Sequence, residues 1–132
     1  MGFEELPHTA DCRFLAWGAD RKSLFAQAAV GLNSVSGVHV DPDSRVRREI
    51  SVPGEDDESL LVGFLSELVF FQEHESLAFD SFDFAFAPAS LSAKLGGARI
   101  GSISRPVKAV TFHEIQIRRT RRGLEVEVVL DV

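Results

Sequence analysis

Hydrophobic residues repeat with a helical period in two stretches of the chain. The first stretch predicts a helix from Arg21 to Val35, with Asp20 as its N-cap and Gly37 at its end. The second predicts a helix after the acidic residues Glu55–Glu58, whose charges suit the positive end of a helix dipole. Its wide apolar face is formed by Leu60, Leu61, Phe64, Leu65, Leu68 and Val69.

Elsewhere the hydrophobic pattern alternates, which predicts β-strands. The side chains of Leu77–Phe79 and Phe82–Phe86 have opposite parity, so a bulge or turn is expected near Asp80-Ser81. A hairpin turn is predicted at Gly96-Gly97. The predicted strands are Cys12–Trp17, Arg45–Val52, Leu77–Phe86, Leu91–Leu95, Arg99–Ser104, Val107–Val110, Ile115–Thr120 and Leu124–Val132, with a loop at Val38–Ser44.

The order of these elements is strand, helix, strand, helix and then a series of strands. That order predicts an α+β fold with a mainly antiparallel or mixed sheet and two helices packed on one face. The chain has 132 residues, the size of one ordinary domain, and we expect residues 1–132 to form a single domain.

The formal net charge of −6 is unevenly distributed, and only residues 105–132 carry more basic than acidic side chains. The overall acidity argues against a general nucleic-acid binder, which needs a positive surface for phosphates. The hairpin Arg118–Arg122 leaves two readings open: a solvated turn, or a local edge that binds RNA or acidic groups.

No apolar run approaches the length of a membrane span, and the first residues lack a signal-peptide pattern. Cys12 is the only cysteine, which excludes an intrachain disulfide and a paired-cysteine metal site. We therefore expect a soluble cytoplasmic protein that does not associate with membranes.

Three carboxylates are candidates for a cation site. Asp131 and the Val132 carboxylate close the last predicted strand, and Asp11 ends the turn His8-Thr9-Ala10-Asp11. An aspartate in such a turn commonly fixes the turn by bonding its own backbone. The alternative is that Asp11 meets Asp131 and Val132 in neighbouring strands. An oxygen-only site of this kind favours Ca²⁺ or Mg²⁺ over zinc.

Lys108 interrupts a strand that is otherwise apolar. A lysine at such a position commonly protects an edge strand against aggregation. Alternatively, it presents its positive charge to a phosphate or to a carboxylate of a partner. His8 and His113 lack neighbours at metal-ligand spacing. The chain has no nucleophile motif and no glycine-rich phosphate loop, so we expect no enzymatic activity.

Three separated blocks together resemble the archease family: His8–Asp11, Lys108–His113 (Lys-Ala-Val-Thr-Phe-His) and the terminal Asp131-Val132. Leu24–Ala29 and Glu58–Leu68 in the two predicted helices fit the same family. The resemblance covers essentially the whole chain in order, and the block around Lys108 is its most specific part.

The resemblance implies a non-enzymatic activator of the RtcB-type RNA ligase, which promotes guanylylation of the ligase histidine and multiple turnover in tRNA splicing and RNA repair. It also implies a cation, Ca²⁺ before Mg²⁺ or Mn²⁺, on Asp11, Asp131 and Val132. Lys108, with His8 and His113, would contact the partner or a phosphate. We expect the ligase as the partner, contact with RNA only through the ligase, and a protein that is a monomer or weak oligomer.

The chain departs from the family pattern at Phe112, where tyrosine is more usual, and in Gly97–Pro106, which is short and lacks a histidine. Two other functions stay open. One is a chaperone-like or RNA-binding modulator acting through Arg118–Arg122, and the other is a hydrolase with a carboxylate-bound metal.

Overall fold

A computed structural model describes residues 1–6, 12–112 and 114–132. Its elements follow one another as nine strands and two helices in the described residues. They are β1 (Gly2–Leu6), β2 (Cys12–Gly18), α1 (Arg21–Ser36), β3 (His39–Val40), β4 (Val46–Pro53), α2 (Asp57–His74), β5 (Leu77–Ala87), β6 (Ser90–Ser102), β7 (Ala109–Val110), β8 (Arg118–Thr120) and β9 (Gly123–Asp131).

Both helices begin at aspartate caps. The Asp20 carboxylate accepts a hydrogen bond from the Ser23 amide at 2.8 Å, and Asp56 accepts one from the Ser59 amide at 2.7 Å. Each bond stabilises the charged carboxylate and so lowers the pKa of that aspartate below its ordinary value of 3.8. α1 ends at Gly37, whose φ of 65° is the left-handed conformation that glycine adopts without strain. The predicted start and end of α1 are confirmed.

The strands form two antiparallel sheets. The first runs β1-β2-β9-β7, with β8 also paired to β9. In the second, β6 pairs with β3, β4 and β5. The prediction of an antiparallel α+β fold with two helices is confirmed, but the strands divide between two sheets where we expected one.

The predicted hairpin at Gly96-Gly97 is wrong, because both glycines lie inside the continuous strand β6. β4 and β5 pair with the same residues of β6 and therefore lie on its opposite edges. A Cβ atom on Gly97 would lie only 2.1 Å from the Ala78 carbonyl oxygen. Glycine here permits close backbone approach rather than a turn. The predicted bulge is confirmed by the register shift in β5 between Phe79 and Ser81.

The short edge strands were the least predictable elements. β1 was not predicted, and β3 lies inside the predicted loop. β7 and β8 are only parts of the strands predicted at Val107–Val110 and Ile115–Thr120. These segments are held by pairing with long neighbours, which local hydrophobic alternation does not reveal.

The core lies between the helices and the two sheets. α1 packs on β2, and α2 packs on β4 and β5. The Phe64 ring lies 6.0 Å from Phe25 and 5.2 Å from Phe84, so rings of both helices meet those of β5. Among the described residues, no helix is both long and apolar enough to cross a membrane.

Candidate functional site

The end of β9 brings two of the predicted site residues together. The Lys108 amide donates a hydrogen bond to the Asp131 carbonyl oxygen at 2.7 Å, and Ala109 pairs directly with Asp131. Both the Lys108 and the Asp131 side chains are exposed. A cation and an anion predicted from distant parts of the sequence therefore share one sheet edge.

On the other edge of β9, Cys12 pairs with Leu130. Cys12 is the first described residue after Asp11, which lies outside the described residues together with His8 and His113. The structure thus locates Lys108, Asp131 and Val132 of the six predicted site residues. Val132 is half-buried and packs against the core, so the end of β9 is held on that side.

The described residues contain no group of three His, Cys, Asp or Glu side chains that would hold a metal ion. They do provide the exposed Asp131 carboxylate next to Val132. Carboxylate oxygens are hard donors, which suit Ca²⁺ and Mg²⁺. The chemistry of these donors fits the cation that the sequence predicts, although the predicted set also requires Asp11.

The segment that leads to Lys108 is tied to the helices. The Ser104 and Arg105 amides donate to the Ser36 carbonyl oxygen at 3.1 and 2.9 Å. The Val107 amide donates to the Gln72 side-chain oxygen at 3.1 Å. Each contact fixes backbone within four residues of Lys108.

Beyond Lys108, a second helix side chain holds the same segment. The Ile117 amide donates to a Glu58 carboxylate oxygen at 3.0 Å. The Thr111 amide between them donates to the Val129 carbonyl oxygen of β9 at 3.0 Å. The block Lys108–Phe112 is therefore held between α2 and the end of the first sheet.

A shallow groove runs between α2 and β7 beside Lys108. Phe70 and His74 of α2 line it together with Ala109 and Val110. Phe70 is 49% exposed, and its ring centroid lies 4.7 Å from that of His74. Exposed aromatic side chains of this kind often anchor protein–protein contacts.

The arginine hairpin that joins β8 to β9 is less free than its sequence indicates. The Arg122 guanidinium lies 3.9 Å from the centre of the Trp17 ring and pairs with Glu125. Arg118, Arg119 and Arg121 are exposed. Arg122 thus fastens the hairpin to β2, and three arginines present their charge to solvent.

The outer surface of the second sheet carries mixed charges. Arg45 donates two hydrogen bonds to the Asp80 carboxylate, at 3.0 and 2.8 Å, and these bonds lower the pKa of Asp80 below its ordinary value. A shallow groove on this surface is lined by Arg45, Arg47, Asp83 and Lys94, among other residues. Basic side chains outnumber acidic ones in this groove, but two of them are already paired, Arg45 with Asp80 and Arg48 with Glu75.

Comparison with known proteins assigns the fold and these motifs to one family. The model of the Archease protein family (MTH1598/TM1083) matches residues 3–132. The chain belongs to the archease family. The prediction made from the three sequence blocks is confirmed.

Archeases of archaea match almost the whole chain. The protein archease of Methanosarcina barkeri is 32% identical over 98% of this chain and 95% of its own length. That of Pyrococcus abyssi is also 32% identical, over 92% of this chain and 91% of its own length. A eukaryotic relative, the archease-like protein of Dictyostelium discoideum, is 28% identical over 98% of the chain.

Two solved structures share the archease fold described above. The solution structure of Methanobacterium thermoautotrophicum protein 1598 has a TM-score of 0.73 and 28% identity, and covers 99% of both chains. The crystal structure of a Thermotoga maritima archease, described as a possible chaperone, has a TM-score of 0.70. Its identity is 21%, and it covers 98% of this chain and 96% of its own. The second likeness shows the fold alone.

Sequence reasoning missed Gln72 in this archease and took Glu58 only as a charge at a helix start. Gln72 is a polar residue, yet it is only 8% exposed and lies among the buried apolar side chains of Val69 and Phe71. A polar residue on the buried face of an apolar helix was the available signal, because such a side chain needs a hydrogen-bond partner.

Proposed function

We propose that this archease is a non-enzymatic activator of an RtcB-type RNA ligase. It would promote guanylylation of the active-site histidine of the ligase and sustain multiple turnover in tRNA splicing or RNA repair. The observation that supports this most is the backbone hydrogen bond from the Lys108 amide to the Asp131 carbonyl oxygen, which brings these two residues, both with exposed side chains, to the same end of the first sheet.

Asp11, Asp131 and the Val132 carboxylate are the proposed ligands of a divalent cation, Ca²⁺ in preference to Mg²⁺ or Mn²⁺. The pairing of Cys12 with Leu130 supports this set, because Cys12 follows Asp11 directly in the chain. When bound, the cation supplies positive charge and open coordination positions at the sheet edge. It would also neutralise carboxylates that otherwise repel one another.

Lys108 is the proposed contact to the partner. Its ammonium group is a compact charge with three donors, which suits a phosphate or a carboxylate of the ligase. His8 and His113 belong to the same motif blocks and are proposed as additional partner or phosphate contacts. RNA would be met through the ligase rather than bound directly.

A protein partner also agrees with the description of the Thermotoga maritima relative as a possible chaperone. The groove between α2 and β7, with the exposed ring of Phe70, provides apolar surface next to Lys108 for such a contact. A chaperone-like action on the ligase would then be local: it would hold the ligase active site in the form that accepts the guanylyl group.

The test is guanylylation of the cognate ligase with GTP, with and without this protein. We expect stimulation by the wild type and its loss in Lys108→Ala, Asp131→Ala and Asp11→Ala. Arg121→Ala serves as a control for the loss of an exposed cation elsewhere. Equal stimulation by all variants would refute the proposal, and turnover of RNA or GTP without any ligase would point to the hydrolase instead.

A second function rests on the arginine hairpin. Arg118, Arg119 and Arg121 are exposed and would contact RNA phosphates. If the protein is an RNA-binding modulator that acts through this hairpin, its RNA binding should weaken with salt and be lost when the three arginines are replaced by alanine. Binding that is unchanged in the triple variant would remove it.

A further inference from the structure

The segment that carries Lys108 has little regular structure of its own. Among described residues 103–117, only Ala109 and Val110 belong to a strand. A segment with few backbone bonds of its own takes its conformation from the groups that hold it. Which groups hold Lys108 in place is therefore a functional question.

Helix α2 holds this segment at two points. The Gln72 side-chain oxygen accepts from the Val107 amide at 3.1 Å, and the Glu58 carboxylate accepts from the Ile117 amide at 3.0 Å. The two residues are separated by almost four helical turns, about 21 Å along the axis, and so lie on the same side of the helix. Helix α2 therefore offers this segment one side-chain hydrogen-bond acceptor near each of its ends.

Gln72 is itself fixed by its surroundings. Its Nε2 donates to the Ser36 hydroxyl at 3.2 Å, and that hydroxyl donates to the Leu32 carbonyl oxygen at 2.8 Å. Ser36 and Gln72 are both buried, and neither leaves a side-chain polar atom without a partner. A buried network whose members are all satisfied is rigid, because each broken bond would leave an unpaired polar group. The Val107 amide is anchored to this network one residue before Lys108.

We infer that Gln72 and Glu58 are positioning residues, which hold segment 107–117 on α2 and thereby present Lys108 beside the end of β9. This inference rests on the proposed function for the role of Lys108. Neither residue touches the proposed partner or cation in this scheme. Their effect passes through the backbone, from the Val107 amide to the Lys108 amide and its bond to Asp131.

Two pairs of variants separate positioning from simple loss of stability. Glu58→Ala removes the acceptor for Ile117, whereas Glu58→Gln keeps a side-chain oxygen there. Gln72→Met keeps the size of the side chain and removes both of its hydrogen bonds, whereas Gln72→Glu keeps the acceptor. Asn33→Ala is a matched control, since it removes a side-chain bond to the Phe79 carbonyl oxygen, 2.9 Å long, at another place in the fold.

The first measurement is hydrogen exchange of individual amides. In Glu58→Ala/Gln72→Met we expect the Lys108 and Thr111 amides to exchange about tenfold faster or more, because local opening becomes easier. The Phe14 and Val128 amides, in the paired strands β2 and β9, should keep their rates. Glu58→Gln should resemble the wild type.

The second measurement is the concentration of this protein that gives half-maximal stimulation of ligase guanylylation. We expect it to rise about tenfold in the double variant, because a mobile Lys108 must be ordered on binding. The maximal stimulation should be retained, since Lys108 is still present. The Asn33→Ala control should change neither quantity.

The outcomes distinguish this inference from the proposed function. If Lys108→Ala leaves stimulation intact, the proposed function fails, and the role inferred for Gln72 and Glu58 fails with it. If Lys108→Ala abolishes stimulation but the double variant matches Asn33→Ala in exchange and half-maximal concentration, the positioning inference alone is overturned. If the Gln72 variants do not fold, the single variant Glu58→Ala, at a half-buried site, is compared with Asn33→Ala in the same two measurements and decides between the same outcomes.

Discussion

The Lys108 amide donates to the Asp131 carbonyl oxygen at 2.7 Å, and this bond helps to join two sequence blocks that are separated by more than twenty residues in the chain. It makes the position of Lys108 depend on the end of β9. A change that displaces the last residues of β9 should therefore affect both the proposed cation ligands and the proposed partner contact.

An extension after Val132 should abolish cation binding. A peptide bond would remove the charged carboxylate that we assign as one of three ligands, whereas a tag before Met1, which is exposed, leaves all three. Binding at a hundredfold excess over Kd stabilises a folded protein by about 2.7 kcal/mol. The check is the melting temperature with and without Ca²⁺: the rise should persist with the N-terminal tag and vanish with the C-terminal one.

Equal Ca²⁺-dependent shifts for the two tagged proteins would exclude the Val132 carboxylate as a ligand. The proposal for Lys108 would survive that result, because it does not depend on the identity of the third donor. Asp131→Asn in the N-terminally tagged protein tests a second of the three proposed carboxylates in the same way.

Replacement of Gly31 by alanine should destabilise the protein. The added Cβ would lie 2.4 Å from the ring of Phe14, which is completely buried in the core. Overpacking costs about 1–3 kcal/mol and outweighs the gain of about 1 kcal/mol in helix propensity. We expect a net loss of about 1 kcal/mol in the free energy of unfolding, measured in urea. Val30→Ala, at an exposed position of the same helix, should change it by less than about 0.5 kcal/mol.

The helix caps should make stability depend on acid pH. The folded pKa values of Asp20 and Asp56 lie below 3.8, so both carboxylates stabilise the fold above that pH. The contribution is lost as pH falls through the lower folded values. Asp20→Asn/Asp56→Asn keeps a capping oxygen without the charge, and should match the wild type at pH 7. Below pH 4, the free energy of unfolding measured in urea should depend less on pH in the variant than in the wild type. An equal dependence in both proteins would show that other titratable groups cause it.

The contact between Arg122 and Trp17 should be visible in fluorescence. Trp17 is the only tryptophan, so its emission reports this site alone. Arg122→Ala should shift that emission and lower the free energy of unfolding by about 0.5–1 kcal/mol, the value of an exposed cation–π contact. Arg121→Ala removes the same charge from the same turn and should leave the emission unchanged. Equal emission from both variants would show that Arg122 does not rest on the ring in solution.

The long elements were predictable because local and tertiary preferences agree in them. α1 combines helical spacing with a cap at Asp20 and a stop at Gly37, and all three appear in the structure. β6 was divided wrongly, because adjacent glycines are typical of turns. Only the neighbouring strand shows why Gly97 is needed, since the Ala78 carbonyl oxygen occupies the place of a Cβ atom.

The candidate site was predictable in part, for a similar reason. The family resemblance identified Lys108 and Asp131, and the structure adds that the Lys108 amide bonds to the Asp131 carbonyl oxygen just before β7 pairs with β9. The hydrogen-bond partners of Gln72 and Glu58 were not predictable, because each side chain accepts from a backbone amide more than thirty residues away in the chain. Hydrogen bonds of that kind leave no periodic pattern in the sequence.

The pairing of β2 with β9 has a consequence for synthesis of the chain. The partners in this ladder, such as Phe14 and Val128, are separated by more than a hundred residues. Contacts of such long range are slow to form, because a large loop must close before they contribute. On the ribosome β2 emerges early and β9 late. The edge of β2 that pairs with β9 must therefore remain unpaired while the intervening residues are made, and an unpaired strand edge of this kind can pair with another chain and aggregate.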